Sequence, residues 1–205
     1  MWRHCAEWAL RANKVDPGQF CSDVWNLLEH GRCERLPVVG LCGRFGGEGK
    51  SFCLAPLREI YGKEYAQPTP QPGSFPFLGI ETKRLAILDE WTFDESTLPL
   101  ATQLLRFEGK SRPATRPQNN NNGRYLYEAS APVFITCSEK HVGPTLEKGR
   151  SAAAMGLASE HTMLMRRLRI YGFSQQLPMA TGARVPECGA WFARMIMERS
   201  GQGQA

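Results

Sequence analysis

Residues 36–52 read LPVVGLCGRFGGEGKSF, and the rest of the chain is best understood outward from them. An apolar run of strand length, Leu36 to Cys42, enters a glycine-rich turn. A helix-compatible segment, Lys50 to Tyr61, leaves it. Strand, glycine-rich turn, then Lys-Ser opening a helix is the arrangement that cradles phosphates. Glycines let successive backbone N–H groups face inward around an anion. The expected loop residues are Gly43, Gly46, Gly47, Glu48, Gly49, Lys50 and Ser51. Lys50 is expected to reach β- and γ-phosphates, and Ser51 to ligate Mg²⁺. The spacing departs from G-x-x-x-x-G-K-[ST], because position 44 is arginine and the glycine falls one residue earlier, at Gly43. The additional residue must bulge outward if Lys50 is to reach a γ-phosphate. An inward bulge would crowd the loop. A glycine-rich turn that binds nothing has the same letters, so other segments must discriminate.

Bulk properties exclude several classes. The 205 residues suit one domain with a small appendage, and 42% hydrophobic content suffices for a real core. A net charge of +5 is mildly basic, which is compatible with an acidic polymer partner. Seven scattered cysteines form no C-x-x-C and are odd in number, so the chain reads as reduced and intracellular rather than disulfide-stapled. The four histidines make no zinc-ligand spacing with them. No apolar run approaches a membrane span, and the first residues lack a signal-peptide core, which predicts a soluble protein.

Residues 1–34 read as a small helical subdomain, with oligomerisation as one use. Trp2, Cys5, Trp8 and Ala9 are expected on one helical face. Ser22 or Asp23 is expected to cap a second helix that ends near Gly31. A core spans 35–175, and 176–205 form a loop and a helix over 189–198. Within the core, strands are expected at 36–42, 85–88, 131–136 and 169–173. Helices are expected after the loop (limited by Pro56), around 98–107 and at 161–168. Residues 65–74, YAQPTPQPGS, read as loop. The alternation predicts an α/β three-layer core with a mainly parallel sheet, and the glycine loop makes it a candidate P-loop NTPase core. Ligands in such sheets bind at the carboxyl ends of strands.

Several motifs fall at such ends. Arg84 to Glu90, RLAILDE, is an apolar strand that runs into two carboxylates. A nucleotide hydrolase needs one carboxylate near its metal and another to polarise water, and Asp89 and Glu90 are assigned these roles in that order. Thr136-Cys137-Ser138 ends the next apolar run, where a polar side chain can sense a γ-phosphate or simply terminate the strand. Residues 109–127 contain no acid and carry Lys110, Arg112, Arg116 and Arg124 around the turn-forming Asn119 to Gly123. This segment is the best candidate for contacts to nucleic-acid phosphates. Arg166, Arg167 and Arg169 offer cations that could enter a neighbouring subunit's site, or they form a basic surface.

The order of these motifs resembles the superfamily 3 helicases, and within them the helicase domain of parvovirus replication initiator proteins. Over about 36–173 the similar blocks are the loop, Phe75-Pro76-Phe77 with Lys83 and Asp89-Glu90, and Lys110-x-Arg112-x-x-x-Arg116. Pro132 to Ser138, and Glu160-His161 with Arg167-Leu168, complete the set. The resemblance implies an AAA+-like P-loop NTPase fold, ATP and Mg²⁺ at Lys50 and Ser51, Glu90 as catalytic carboxylate, and Ser138 at the family's sensor asparagine. It further implies Lys110, Arg112 and Arg116 on a hairpin facing single-stranded DNA, and Arg167 as the finger donated to the adjacent subunit. The partners implied are single-stranded DNA, further copies in a hexameric ring, and a separate nicking or origin-binding domain. The nucleus of an infected or host cell is one setting for such a protein, which would act in replicating viral or virus-like DNA. Two other readings stay open: a P-loop ATP-binding regulatory module with weak or no turnover, and a small-molecule or nucleoside kinase.

Overall fold

The computed structural model describes residues 1–33, 36–67, 83–92, 107, 112–114, 125–127, 131–156, 159–178, 185–186 and 188–201. Helices α1 (Trp2–Ala12) and α2 (Pro17–His30) precede β1 (Val38–Gly43). After the glycine loop come α3 (Lys50–Leu54), α4 (Pro56–Tyr61), the two-residue β2 (Tyr65–Ala66) and β3 (Leu85–Leu88). A two-stranded antiparallel ribbon pairs β4 (Arg112–Ala114) with β5 (Tyr125–Tyr127). The chain continues through β6 (Val133–Ser138), α5 (Glu139–Ala154), α6 (Glu160–Arg166), β7 (Leu168–Phe173) and α7 (Gly189–Arg199).

Five strands form one parallel sheet in the order β2-β3-β6-β1-β7. Because side chains alternate across a strand, each central strand feeds two cores. Val39, Leu41, Leu85, Ile87 and Phe134 point into the layer with α1–α4 and α7. Val38, Cys42, Ala86, Leu88, Ile135 and Cys137 point into the layer that takes Val142 of α5 and Leu164 of α6. The result is the three-layer α/β arrangement that the alternation predicts. Gly149 lets α5 and α6 approach closely, since a Cβ there would lie 2.4 Å from Met165 Sδ and 2.9 Å from the His161 carbonyl.

Some boundaries differ from expectation for local reasons. Helix α2 starts at Pro17, not beyond Ser22 or Asp23, because Asp16 caps it through the Gln19 N–H (2.7 Å) and proline suits the first helical position. Trp8 is half exposed, and the buried face of α1 runs through Trp2, Ala6, Ala9 and Leu10. Tyr65 and Ala66 are an edge strand on β3 rather than loop. Pro56 separates α3 from α4 as expected. The helix expected over 98–107 and the block Phe75-Pro76-Phe77 lie outside the described residues, apart from the buried Phe107.

Helices α1 and α2 share their core with the sheet, as Trp2, Phe20 and Val24 belong to the cluster that holds Leu41 and Leu54. Glu7 fastens α1 to α7. Its enclosed carboxylate accepts from Arg3 (3.1 Å), Arg11 (3.2 Å) and Arg199 (3.0 Å). Burial pushes the Glu7 carboxyl up, but Arg199 and Arg3 outweigh it and hold it below the ordinary glutamate range. Glu7→Gln is expected to cost about 2 kcal/mol in denaturant unfolding, reduced from a fully buried pair because the arginines reach solvent. A carboxyl depressed in the folded state stabilises at neutral pH and loses that contribution as pH falls below the ordinary glutamate range. The gap between wild type and variant should therefore close in acid, read as converging unfolding midpoints.

Candidate nucleotide site at the strand ends

The carboxyl ends of β1, β6 and β3 lie side by side, which brings three separated motifs to one edge of the sheet. Gly43 is in register with Ser138, and Leu88 with Ile135. The glycine loop follows Gly43, Asp89-Glu90 follow Leu88, and Ser138 is the last residue of β6.

The loop is built around one side chain. Arg44 and Phe45 project outward, Arg44 donating to Glu139 at 2.9 Å. Glu48 turns inward and its side chain is fully enclosed. Its carboxylate accepts from the backbone N–H groups of Arg44 (2.5 Å), Phe45 (2.8 Å) and Gly46 (3.4 Å), and from Lys50 Nζ (2.6 Å). Burial pushes this carboxyl up, yet the Lys50 ammonium and the Phe45 and Arg44 N–H groups prevail and hold it below the ordinary range. The curve of the loop needs left-handed backbone at Gly46 (φ 87°), Gly47 (φ 71°) and Gly49 (φ 90°). At Gly43 a Cβ would fall 1.8 Å from Glu48 Oε2 and 2.2 Å from Lys50 Nζ, so the inward pair keeps its place only where position 43 lacks a side chain. The displaced glycine thus makes room for an inward carboxylate.

Asn13, at the end of α1, pins the loop from outside. Its buried amide donates to the carbonyls of Ala9 (2.9 Å) and Glu48 (3.3 Å), and its oxygen accepts from the Gln175 N–H (2.8 Å). The Leu177 N–H in turn donates to the Gly47 carbonyl at 3.1 Å.

Beside the loop lies a cavity of about 290 Å³ bordered by Ser51, Arg58, Gln67, Asp89 and Thr136. Asp89 is held on both oxygens: Thr136 Oγ1 donates to Oδ1, and Gln67 Nε2 donates to Oδ2 at 2.8 Å. Gln67 is oriented by Arg58 (2.7 Å) and Tyr65 (2.9 Å), both donating to its Oε1. Thr136 also accepts from the Glu90 N–H at 3.0 Å. Glu90 is exposed and sits at φ 53°, a left-handed conformation that is costly for a residue with a Cβ. A hydroxyl and a carboxylate bordering one cavity are oxygen donors of the kind Mg²⁺ takes, so Ser51 and Asp89 fit that ion. Among the described residues no group of three or more His, Cys, Asp or Glu forms a metal cluster.

Arg167 stands elsewhere. It precedes β7, and its carbonyl accepts from the Val38 N–H (2.8 Å) at the start of β1, the end of the sheet opposite the loop. It therefore cannot serve the loop of its own chain. Arg112 opens β4 opposite Tyr127, and Lys110 and Arg116 lie outside the described residues. Sequence reasoning missed Asn13, Arg58 and Gln67. No motif marks them, although Gln67 immediately follows β2.

Loop and sheet together define a three-layer P-loop NTPase-like fold. No family description matches the chain, and no curated protein matches it in sequence. Solved structures share its architecture. The A-form apo structure of the NrS-1 C-terminal region superposes with TM-score 0.52 at 14% identity, over 96% of this chain and 43% of that one. An apo structure of NrS-1 residues 305–718 gives TM-score 0.52 at 15% identity, over 90% and 39%. The present chain spans about two-fifths of the length of these structures, and the likeness is one of fold. No helix among the described residues is long and apolar enough to cross a membrane.

Replacing Glu90 by glycine relieves the left-handed backbone and is expected to raise stability by roughly 1 kcal/mol, measured by denaturant unfolding. Thr136→Val removes a donor to Asp89 and an acceptor for the Glu90 N–H, and is expected to cost about 1–3 kcal/mol in the same measurement.

Proposed function

We propose that this chain is an ATP-dependent DNA helicase or translocase of the superfamily 3 type, acting in replication of viral or virus-like DNA. The observation that carries the reading is the cavity bordered by Ser51 and Asp89, set against a loop whose backbone N–H groups and Lys50 already hold an anion. In this reading the loop and Lys50 take the triphosphate of ATP. Ser51 and Asp89 hold Mg²⁺, which neutralises phosphate charge, and Gln67 and Thr136 keep Asp89 aimed at the cavity. Glu90 orients and deprotonates the attacking water. Ser138, in register with Gly43, senses the γ-phosphate in this reading. Arg167, at the far end of the sheet, acts on a neighbour's nucleotide, and the resemblance leads us to expect a ring of six copies. Lys110, Arg112 and Arg116 grip single-stranded DNA, and a separate nicking or origin-binding domain supplies origin recognition.

One observation favours a second reading, a P-loop regulatory module with weak turnover: the inward Glu48 crowds the loop.

The test is ATP hydrolysis titrated with single-stranded DNA. Wild type should hydrolyse ATP faster as DNA is added. Lys50→Ala should lose ATP binding, and Glu90→Gln should bind ATP normally while its turnover falls by a factor of about 10²–10⁴. Tight binding without hydrolysis in the wild type would select the regulatory reading. A folded chain that neither binds nor hydrolyses ATP would exclude both.

A further inference from the structure

Glu48 does more than line the loop. Three consecutive backbone N–H groups and one ammonium converge on its carboxylate, with no solvent contact. Convergent main-chain N–H groups with a lysine are the donors that hold a phosphate in such a loop. The same donors cannot serve two anions.

We infer that Glu48 is an internal counter-anion that competes with nucleotide phosphates for the loop, so that its side chain must swing out before a triphosphate can enter. The inference rests on reading the loop as a nucleotide site. The anchor points favour a side-chain movement over a loop rearrangement. The Glu48 carbonyl is held by Asn13 (3.3 Å) and the Gly47 carbonyl by Leu177 (3.1 Å), so the backbone stays fixed. The neighbouring turn offers room, as a Cβ built on Gly46 or Gly47 would meet nothing within 4 Å. Expulsion replaces one anion by another on the same donors, so the N–H groups that Glu48 releases are paired again once the phosphate is seated. Its cost is the loss of charge-assisted hydrogen bonds, which is subtracted from the intrinsic affinity for phosphate. The device sets a threshold: a ligand with several phosphates displaces the carboxylate, and a weakly charged one does not.

The test compares wild type, Glu48→Ala and Glu48→Gln in direct binding titrations with inorganic tripolyphosphate, ATP and adenosine. Thermal unfolding confirms that each variant is folded. The glutamine variant keeps the side chain's shape should alanine fail to fold. Removing the charge should tighten tripolyphosphate and ATP by about ten- to a hundred-fold, the scale of a charged hydrogen bond, and leave adenosine unchanged. Wild type that binds ATP while folded variants bind it equally or more weakly would overturn the inference and leave the nucleotide reading intact. Folded wild type and variants that all fail to bind ATP and tripolyphosphate would overturn both.

Discussion

A carboxylate taken wholly out of water costs several kcal/mol unless donors replace the lost solvent, and the strand-end architecture is organised around meeting that demand for Glu48. Its donors come from the loop itself and from Lys50. Converging three successive N–H groups on one point forces the tight curve, which in turn calls for glycine at 46, 47 and 49. The bulk of the carboxylate calls for glycine at 43. The departure from the usual loop spacing thus follows from one inward side chain. Outward projection of Arg44 and Phe45 is the other half of the same geometry.

The parallel sheet supplies the second constraint. With β6 between β1 and β3, the end of β6 must be polar enough to serve neighbours on both sides. Thr136 does so toward β3, donating a hydrogen bond to Asp89 and accepting one from the Glu90 N–H, while Ser138 is in register with Gly43 of β1. Asp89 is therefore fixed by a strand it does not follow in sequence. Glu90 is left exposed and in a conformationally costly left-handed backbone beside it.

The strands were readable because buried parallel strands are short apolar runs that end where the chain turns polar, as Val38–Gly43, Leu85–Leu88 and Val133–Ser138 all do. Helix α5 was not, since Gly143, Pro144 and Gly149 argue against a helix until tertiary packing is known. Gly149 is the explanation in part, being the point where α6 comes too close for a side chain. The inward direction of Glu48 left no mark in the letters Gly-Glu-Gly-Lys, which fit either orientation. Asp89 and Glu90 were legible as a pair, but Gln67, twenty-two residues upstream of Asp89, joins them only through the β2–β3 pairing. The placement of Arg167 at the opposite sheet end likewise follows from strand direction, which single-strand patterns do not encode.

Asn13 ties the tail of α1, the Glu48 carbonyl and the segment after β7 into one knot of three hydrogen bonds. The first helix therefore forms part of the wall of the glycine loop. Anyone trimming the chain toward a minimal core at β1 would cut through the hinge pin of the site itself. The shortened protein would keep every residue of the glycine motif and lose the clamp that gives the motif its shape.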